Sequence, residues 1–277
     1  MKRSTALRWA GLALTMGLTA AWGEETPPMP PPEPPSVLGP VAGESLTYNI
    51  HWMGVPGGVA EMTFTQPEPD RYAVEANLRS AGVVEALHKV RDRLYSEGWW
   101  KMSPPHALLY RKEQWEKGKT RLTLFRFNRE ELYAERQFKA EPLRRIEPLP
   151  PEVDDPLTAF YLMRRRENLK PGTSIQLTIL DKELPYEAQI IVGASEKILT
   201  PLGWFQALPV QPTVESSDLF RHEGALTIWI SDDHRRLPLQ VTAKLRLGSA
   251  VADLIAFDDG RGEVKKVVIE KEAENKR

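Results

Sequence analysis

The 277-residue chain carries 37 basic and 38 acidic side chains and no cysteine. So even a balance gives no electrostatic ground for a nucleic-acid partner. The missing thiols exclude disulfides, a cysteine nucleophile and thiolate metal sites.

The opening "MKRSTALRWAGLALTMGLTAAWGEE" places Lys2, Arg3 and Arg8 around the start of an uncharged run, Trp9 to Trp22, that ends among small residues. This is a secretory signal-peptide pattern over residues 1–23, with cleavage expected after Gly23. The run falls short of the ~20 residues a spanning helix needs, so no membrane span is expected after cleavage. Removal leaves 34 basic against 38 acidic residues, a net charge of −4. With no cysteine to carry a lipid anchor, the expected location is the periplasm. Residues 24–40 include the proline-dense "TPPMPPPEPPSVLGP" and read as a stiff polyproline-like spacer. A single folded domain is expected over 41–270, followed by a charged tail, 271–277.

Within that domain strands predominate. "ESLTYNIHWM" alternates Leu46, Tyr48 and Ile50 on one face and "GVAEMTFTQ" follows, with "GVPGG" between them as the turn. "RYAVEANLRS" and "DRLYSEGWWK" continue the pattern, and "ALLYRKEQWEKGKTRLTLFRFNR" gives two strands around "EKGK". Further candidates are "SIQLTILD", "YEAQIIVGA", "GWFQALPVQ", "GALTIWIS", "LPLQVTAKLRLG", "AVADLIAF" and "EVKKVVIE". Two segments carry helical spacing. "GVVEALHKVRDRL" is short and overlaps a strand. In "EVDDPLTAFYLMRRREN", Asp154 or Asp155 caps and Pro156 opens a helix that ends in Arg164–Arg166. The triple arginine reads as a solvated helix end facing the negative dipole pole. Closely spaced strands with Gly, Pro and Asp turns define an all-β, mainly antiparallel fold: a large curved sheet forming an open or closed barrel, with one crossing helix. "GESLTYNI" and "GTSIQLTI" share a pattern at an offset of 129, which either records a duplication or reflects two generic hairpins.

No G-x-S-x-G elbow, P-loop, dinucleotide-binding glycine pattern or H-E-x-x-H occurs. The five histidines, His51, His88, His106, His222 and His234, lack ligand-like spacing. "FDDGRGE" has hairpin-turn chemistry rather than calcium-loop spacing. "VDDP" is accounted for by a helix cap. Asp232, Asp233 and His234 in "WISDDHRRLPLQV" read as the polar tip of a hairpin. No catalytic residue, metal site or cofactor is therefore expected. The remaining clue is aromatic: strand tryptophans and helix aromatics either fill a core or line a cavity inside a wide sheet.

"GESLTYNIHWMGVPGGVAEMTF", "DPLTAFYLMR", "EKILTPLGWFQALPVQP" and "LTIWISDDHRRLPLQVTAKLRLGSAVADL", in this order, resemble an exported bacterial family, domain of unknown function 3108, over nearly all of residues 43–256. The resemblance implies extensive antiparallel β-structure, similar to the barrel-like fold of some capsule-locus lipoproteins, and carries no catalytic residues. The last fifty residues or so are more loosely similar to half-barrel lipoprotein carriers, which hold acyl chains against a concave sheet; this is analogy. The expected function is non-enzymatic: binding a lipid, an acylated protein or a glycan precursor on a concave sheet. Trp52, Trp99, Trp229, Phe160 and Tyr161 are the candidate ligand residues. The alternatives are an interaction module for envelope proteins, or a cell-wall hydrolase.

Overall fold

The computed structural model describes residues 37–87, 89–100, 105–116, 118–213, 225–245 and 248–267. The segment expected to be a signal peptide, most of the expected proline-dense spacer, His88, His222 and the charged tail lie outside the described residues. The first run of strands comprises β1 (Glu44–Trp52), β2 (Val55–Thr65), β3 (Arg71–Ser80), β4 (Val90–Trp99), β5 (His106–Glu116), β6 (Lys119–Asn128), β7 (Tyr133–Phe138) and β8 (Arg144–Ile146). A short helix, α1 (Gly82–Leu87), interrupts it between β3 and β4. After β9 (Val153–Asp154) and α2 (Pro156–Arg165) come β10 (Ser174–Ile179), β11 (Tyr186–Val192), β12 (Glu196–Thr200) and β13 (Gly203–Thr213). The chain ends with β14 (Leu226–Ser231), β15 (Pro238–Lys244), β16 (Ser249–Asp259) and β17 (Val264–Lys266).

Strands β1 to β8 form one antiparallel meander. On its other side β1 pairs antiparallel with β16, and β15, β14, β13, β11 and β10 follow in turn. β9 adds to β10 in parallel. β11 and β12 lie end to end along one edge of β13: Val192 faces Val210, and Glu196 faces Ala207. The sheet curls but does not close, and its two ends meet without a backbone ladder.

Period-two alternation decides which face is inside. Leu46 and Tyr48 of β1, Phe64 of β2 and Tyr72 and Val74 of β3 are buried, while their strand neighbours are more exposed. All share the face that carries α2. The helix packs Leu157 and Tyr161 against Phe64, Tyr72, Tyr110 and Phe125 of the first meander. Met163 packs against Ile175, Val192, Leu208 and Ile230 of the second. A sheet that touches one helix from both halves is wrapped around it, so the helix-bearing face is concave.

Several expectations need correction. The β1–β2 turn is only Met53–Gly54, with φ of 52° and 80°, the double positive-φ signature of a tight two-residue hairpin. Pro56, Gly57 and Gly58 therefore belong to β2 rather than to the turn. The helix of "GVVEALHKVRDRL" stops at Leu87, and Val90 onward is strand. Strands β7, β8 and β12 lie in segments read without a strand, and β9 lies in the segment read as the start of the helix. Arg164 is not a solvated helix end: it is completely buried.

Candidate functional site

The helix closes one end of the concavity through a polar network that its sequence prescribes. Asp155 is the N-cap; Oδ1 accepts from the N–H groups of Leu157 (2.9 Å) and Thr158 (3.1 Å). Its Oδ2 accepts from the Ser96 and Thr158 hydroxyls, both at 2.7 Å. The Tyr72 hydroxyl lies 2.6 Å from that of Thr158. Burial dominates and pushes Asp155 from the ordinary aspartate value of 3.8 up to about 6, although these hydrogen bonds oppose the shift. The folded state therefore retains a proton that the unfolded chain releases. The associated stability is complete below pH 3.8 and is lost as pH rises through about 6. Asp155→Asn keeps a capping oxygen and cannot titrate. Urea unfolding across this window should show a flatter stability profile for the variant, by at most ~3 kcal/mol; an unchanged slope would remove Asp155 as its source.

At the other helix end, Arg164 makes a bidentate pair with Glu44, Nη1 to Oε1 at 2.8 Å and Nη2 to Oε2 at 2.6 Å. Its Nε donates to the Arg236 carbonyl at 2.8 Å. Burial disfavours the cation, but Glu44 outweighs it and holds Arg164 protonated. The hairpin 232–237 is the clamp that supplies these carbonyls. Asp233 accepts from the Ser231 hydroxyl and the Arg235 N–H, and Arg236 returns a hydrogen bond to the Arg164 carbonyl at 3.0 Å. Burial raises Asp233, but its hydrogen bonds and charge contact with Arg235 prevail and hold it below the ordinary range. Asp232 accepts from Ser195 instead. Asp233 thus shapes the hairpin, and the carbonyl and side chain of Arg236 fasten the helix to it.

The opposite end of the concavity is not filled by α2. Cross-strand register places Val192, Val210, Ile228, Val241, Ala252 and Ile50 side by side on the helix-bearing face, one per adjacent strand. Val192 and Val210 are buried under the helix side of the core, whereas Ile228, Val241, Ala252 and Ile50 are only half-buried. Here an apolar cleft of ≈ 510 Å³ opens, with Ile50, Trp52, Leu78, Val84, Val90 and Leu245 around it. Its floor is bare because Gly57, Gly58 and Ala250 carry little or no side chain. Gly58 cannot be larger: a Cβ there would lie 2.7 Å from the Arg79 carbonyl oxygen.

Of the five aromatic candidates, Trp52 lines this cleft. Phe160 is half-buried on α2, between the first and second core clusters. Tyr161 is a core residue, stacked on Phe64 with centroids 5.3 Å apart. Trp229 and Trp99 project from the other face. Trp229 shares a row with Gln240, Asp253 and Asn49, and its Nε1 donates to Glu196 at 2.5 Å. Trp99 lies under the Arg71 guanidinium at 4.5 Å. The five do not form one site, and the Gly57–Gly58 pair, the strongest local determinant of the cleft, was masked by its turn-like composition.

The polar candidates also separate. His51 lies 3.7 Å from Asp253. Asp154, the other acid of "VDDP", accepts from the Ala107 N–H (2.8 Å) and Arg129 (2.9 Å), with His106 3.5 Å away. It fastens β5 to the strand before α2, while Ser96 donates to Asp155 rather than to this histidine. Among the described residues, no three His, Asp or Glu side chains converge as a metal site, and no helix is long and apolar enough to cross a membrane.

A curved antiparallel sheet, wrapped around one internal helix and open at one end, defines a β-barrel-like domain. The chain belongs to the family described as protein of unknown function DUF3108, whose model matches residues 47–255. The fold is similar to that of a β-barrel-like protein of domain of unknown function DUF1849 from Brucella abortus. That match has a TM-score of 0.53 at 10% identity and covers 79% of this chain and 98% of the other. A DUF1089 family protein from Pseudomonas aeruginosa shows a weaker likeness: TM-score 0.34, 13% identity, 68% of this chain and 90% of that one. A Bacteroides fragilis protein, provisionally described as exported and with a YmcC-like fold, gives a TM-score of 0.30 at 12% identity, covering 79% and 96%. No curated protein matches the chain.

Proposed function

We propose that this is a periplasmic binding protein that holds the apolar part of an envelope amphiphile, a lipid or an acylated component, in the open end of the concave sheet. One observation carries the reading: α2 fills one end of the concavity and leaves the other as an apolar cleft of ≈ 510 Å³ with Gly57, Gly58 and Ala250 at its floor. An apolar recess with few polar groups at its rim, here Arg79 and Ser80, is the ordinary form of a ligand site for such molecules. A bromine-labelled alkyl ligand should quench tryptophan fluorescence in the native protein, and Trp52→Phe should abolish most of the quenching while binding persists. Quenching unaffected by that substitution would place the ligand elsewhere.

A second reading, an interaction module in envelope assembly, draws on the β12–β13 hairpin. Leu199 and Trp204 are cross-strand partners there, 60% and 61% exposed. An exposed apolar pair of this kind is compatible with a protein partner. Replacing both with serine would leave alkyl binding intact and abolish partner recruitment if this hairpin were the working surface.

A further inference from the structure

The seam where the two ends of the sheet meet is a second cleft of ≈ 910 Å³, between β5–β7 and the β10–β11 hairpin. Its cations are Lys112, Arg121, Arg136, Lys139 and Lys182; its acids are Asp181 and Glu183. Register puts Lys112 beside Thr123, and Arg136 beside Phe125, on the same face as Leu94 and Ser96. Lys112, Arg121 and Arg136 thus stand on the concave face, where charged side chains are uncommon unless they are paired. Their pairing is incomplete. Lys112 is 4.0 Å from Asp181, and Arg136 is 4.0 Å from Glu183. Arg136 is only 9% exposed, yet its Nε has no hydrogen-bond partner. A buried donor left without an acceptor is costly, and a ligand oxygen would satisfy it.

The basic cleft adjoins the apolar one along a single row of the sheet. Leu78, Asp92, Gln114 and Arg121 are successive cross-strand partners on β3, β4, β5 and β6. Leu78 lines the apolar cleft, and Gln114 and Arg121 line the basic one. Three strand spacings of ~4.8 Å separate the ends of this row by about 14 Å. Asp92, bonded to the Gln114 amide at 3.2 Å, is the acid between them. We infer that the seam cleft receives an anionic head group, a phosphate or carboxylate, of the same amphiphile whose apolar part occupies the neighbouring cleft. Arg136 and Lys112 would be its inner contacts and Arg121 its outer one.

This inference rests on the apolar-ligand reading, and titration calorimetry with monomeric dodecyl phosphate, dodecanol and inorganic phosphate separates the two. Dodecyl phosphate should bind at least about tenfold more tightly than dodecanol, a difference of ~1.4 kcal/mol. The gap should narrow with added salt and close in the Lys112→Gln/Arg121→Gln double variant. Arg136→Gln should close it too, and the double variant, at less buried positions, serves if Arg136→Gln fails to fold. Equal binding of dodecyl phosphate and dodecanol would overturn the anionic inference and leave the apolar reading standing. Inorganic phosphate binding as tightly as dodecyl phosphate, with no binding of dodecanol, would support the anion site with free phosphate as its source and overturn the apolar reading. Binding of none of the three would overturn both.

Discussion

Arg164→Ala should destabilise the protein by about 3–5 kcal/mol, because it leaves the Glu44 carboxylate buried without its partner. Glu44 is 1% exposed and receives both guanidinium hydrogen bonds, and the Arg235 and Arg236 carbonyls face the same group. The loss therefore spreads to β1, α2 and the 232–237 hairpin together. Removing both charges should cost much less than the sum of the single changes. An apolar pair such as Glu44→Leu with Arg164→Met leaves no unpaired charge, although the carbonyls of the clamp lose a donor. Chemical denaturation of the four members of the cycle measures this. Additive losses would mean that the two residues contribute independently and that the pair does not fasten the helix.

Ala250→Trp should reduce affinity for an alkyl ligand by about 100-fold while changing stability little. Ala250 lies between Trp52 and Ala243 in register and borders the apolar cleft. An indole there occupies the space, and each methylene it excludes forfeits ~0.8 kcal/mol, so displacing three or four removes about 2.4–3.2 kcal/mol. Tryptophan is well tolerated in strands, and position 250 is only half-buried. Calorimetric titration of both proteins with dodecanol is the check. Undiminished binding would show that the alkyl chain does not enter this cleft.

Much of the fold is legible in the sequence because local chemistry and tertiary need coincide. Asp155 and Pro156 open α2 as their positions prescribe, and Asp232–His234 turn the chain between two strands. The departures come from partners distant along the chain. Helical spacing sets Arg164 on the stripe of Leu157 and Tyr161, apart from Arg165 and Arg166, but nothing local reveals its partner Glu44, 120 residues earlier, without which its burial is not expected. Pro56–Gly57–Gly58 has turn composition, yet Met53–Gly54 already makes the turn, and the glycines serve close strand approach instead. Trp229 alternates with Ile228 and Ile230, so apolarity alone does not say which side faces inward. The polar row of Gln240, Asp253 and Asn49 decides it. Trp52 follows Tyr48 and Ile50 in one alternating series, and this is the signal that carried it to the cleft.

The cationic seam was hidden for a related reason. Lys112, Arg121 and Arg136 sit in strands whose charges look solvated one at a time, and only the pairing of β5, β6 and β7 gathers them on the concave face.

Native mass spectrometry of the 277-residue chain, expressed in bacterial cells and recovered without detergent, tests the central claim most directly. The account predicts a one-to-one adduct of an amphiphile, lost in Ala250→Trp and restored to the native protein by added alkyl ligand. A protein that carries no adduct and takes up none when alkyl ligands are supplied would contradict it.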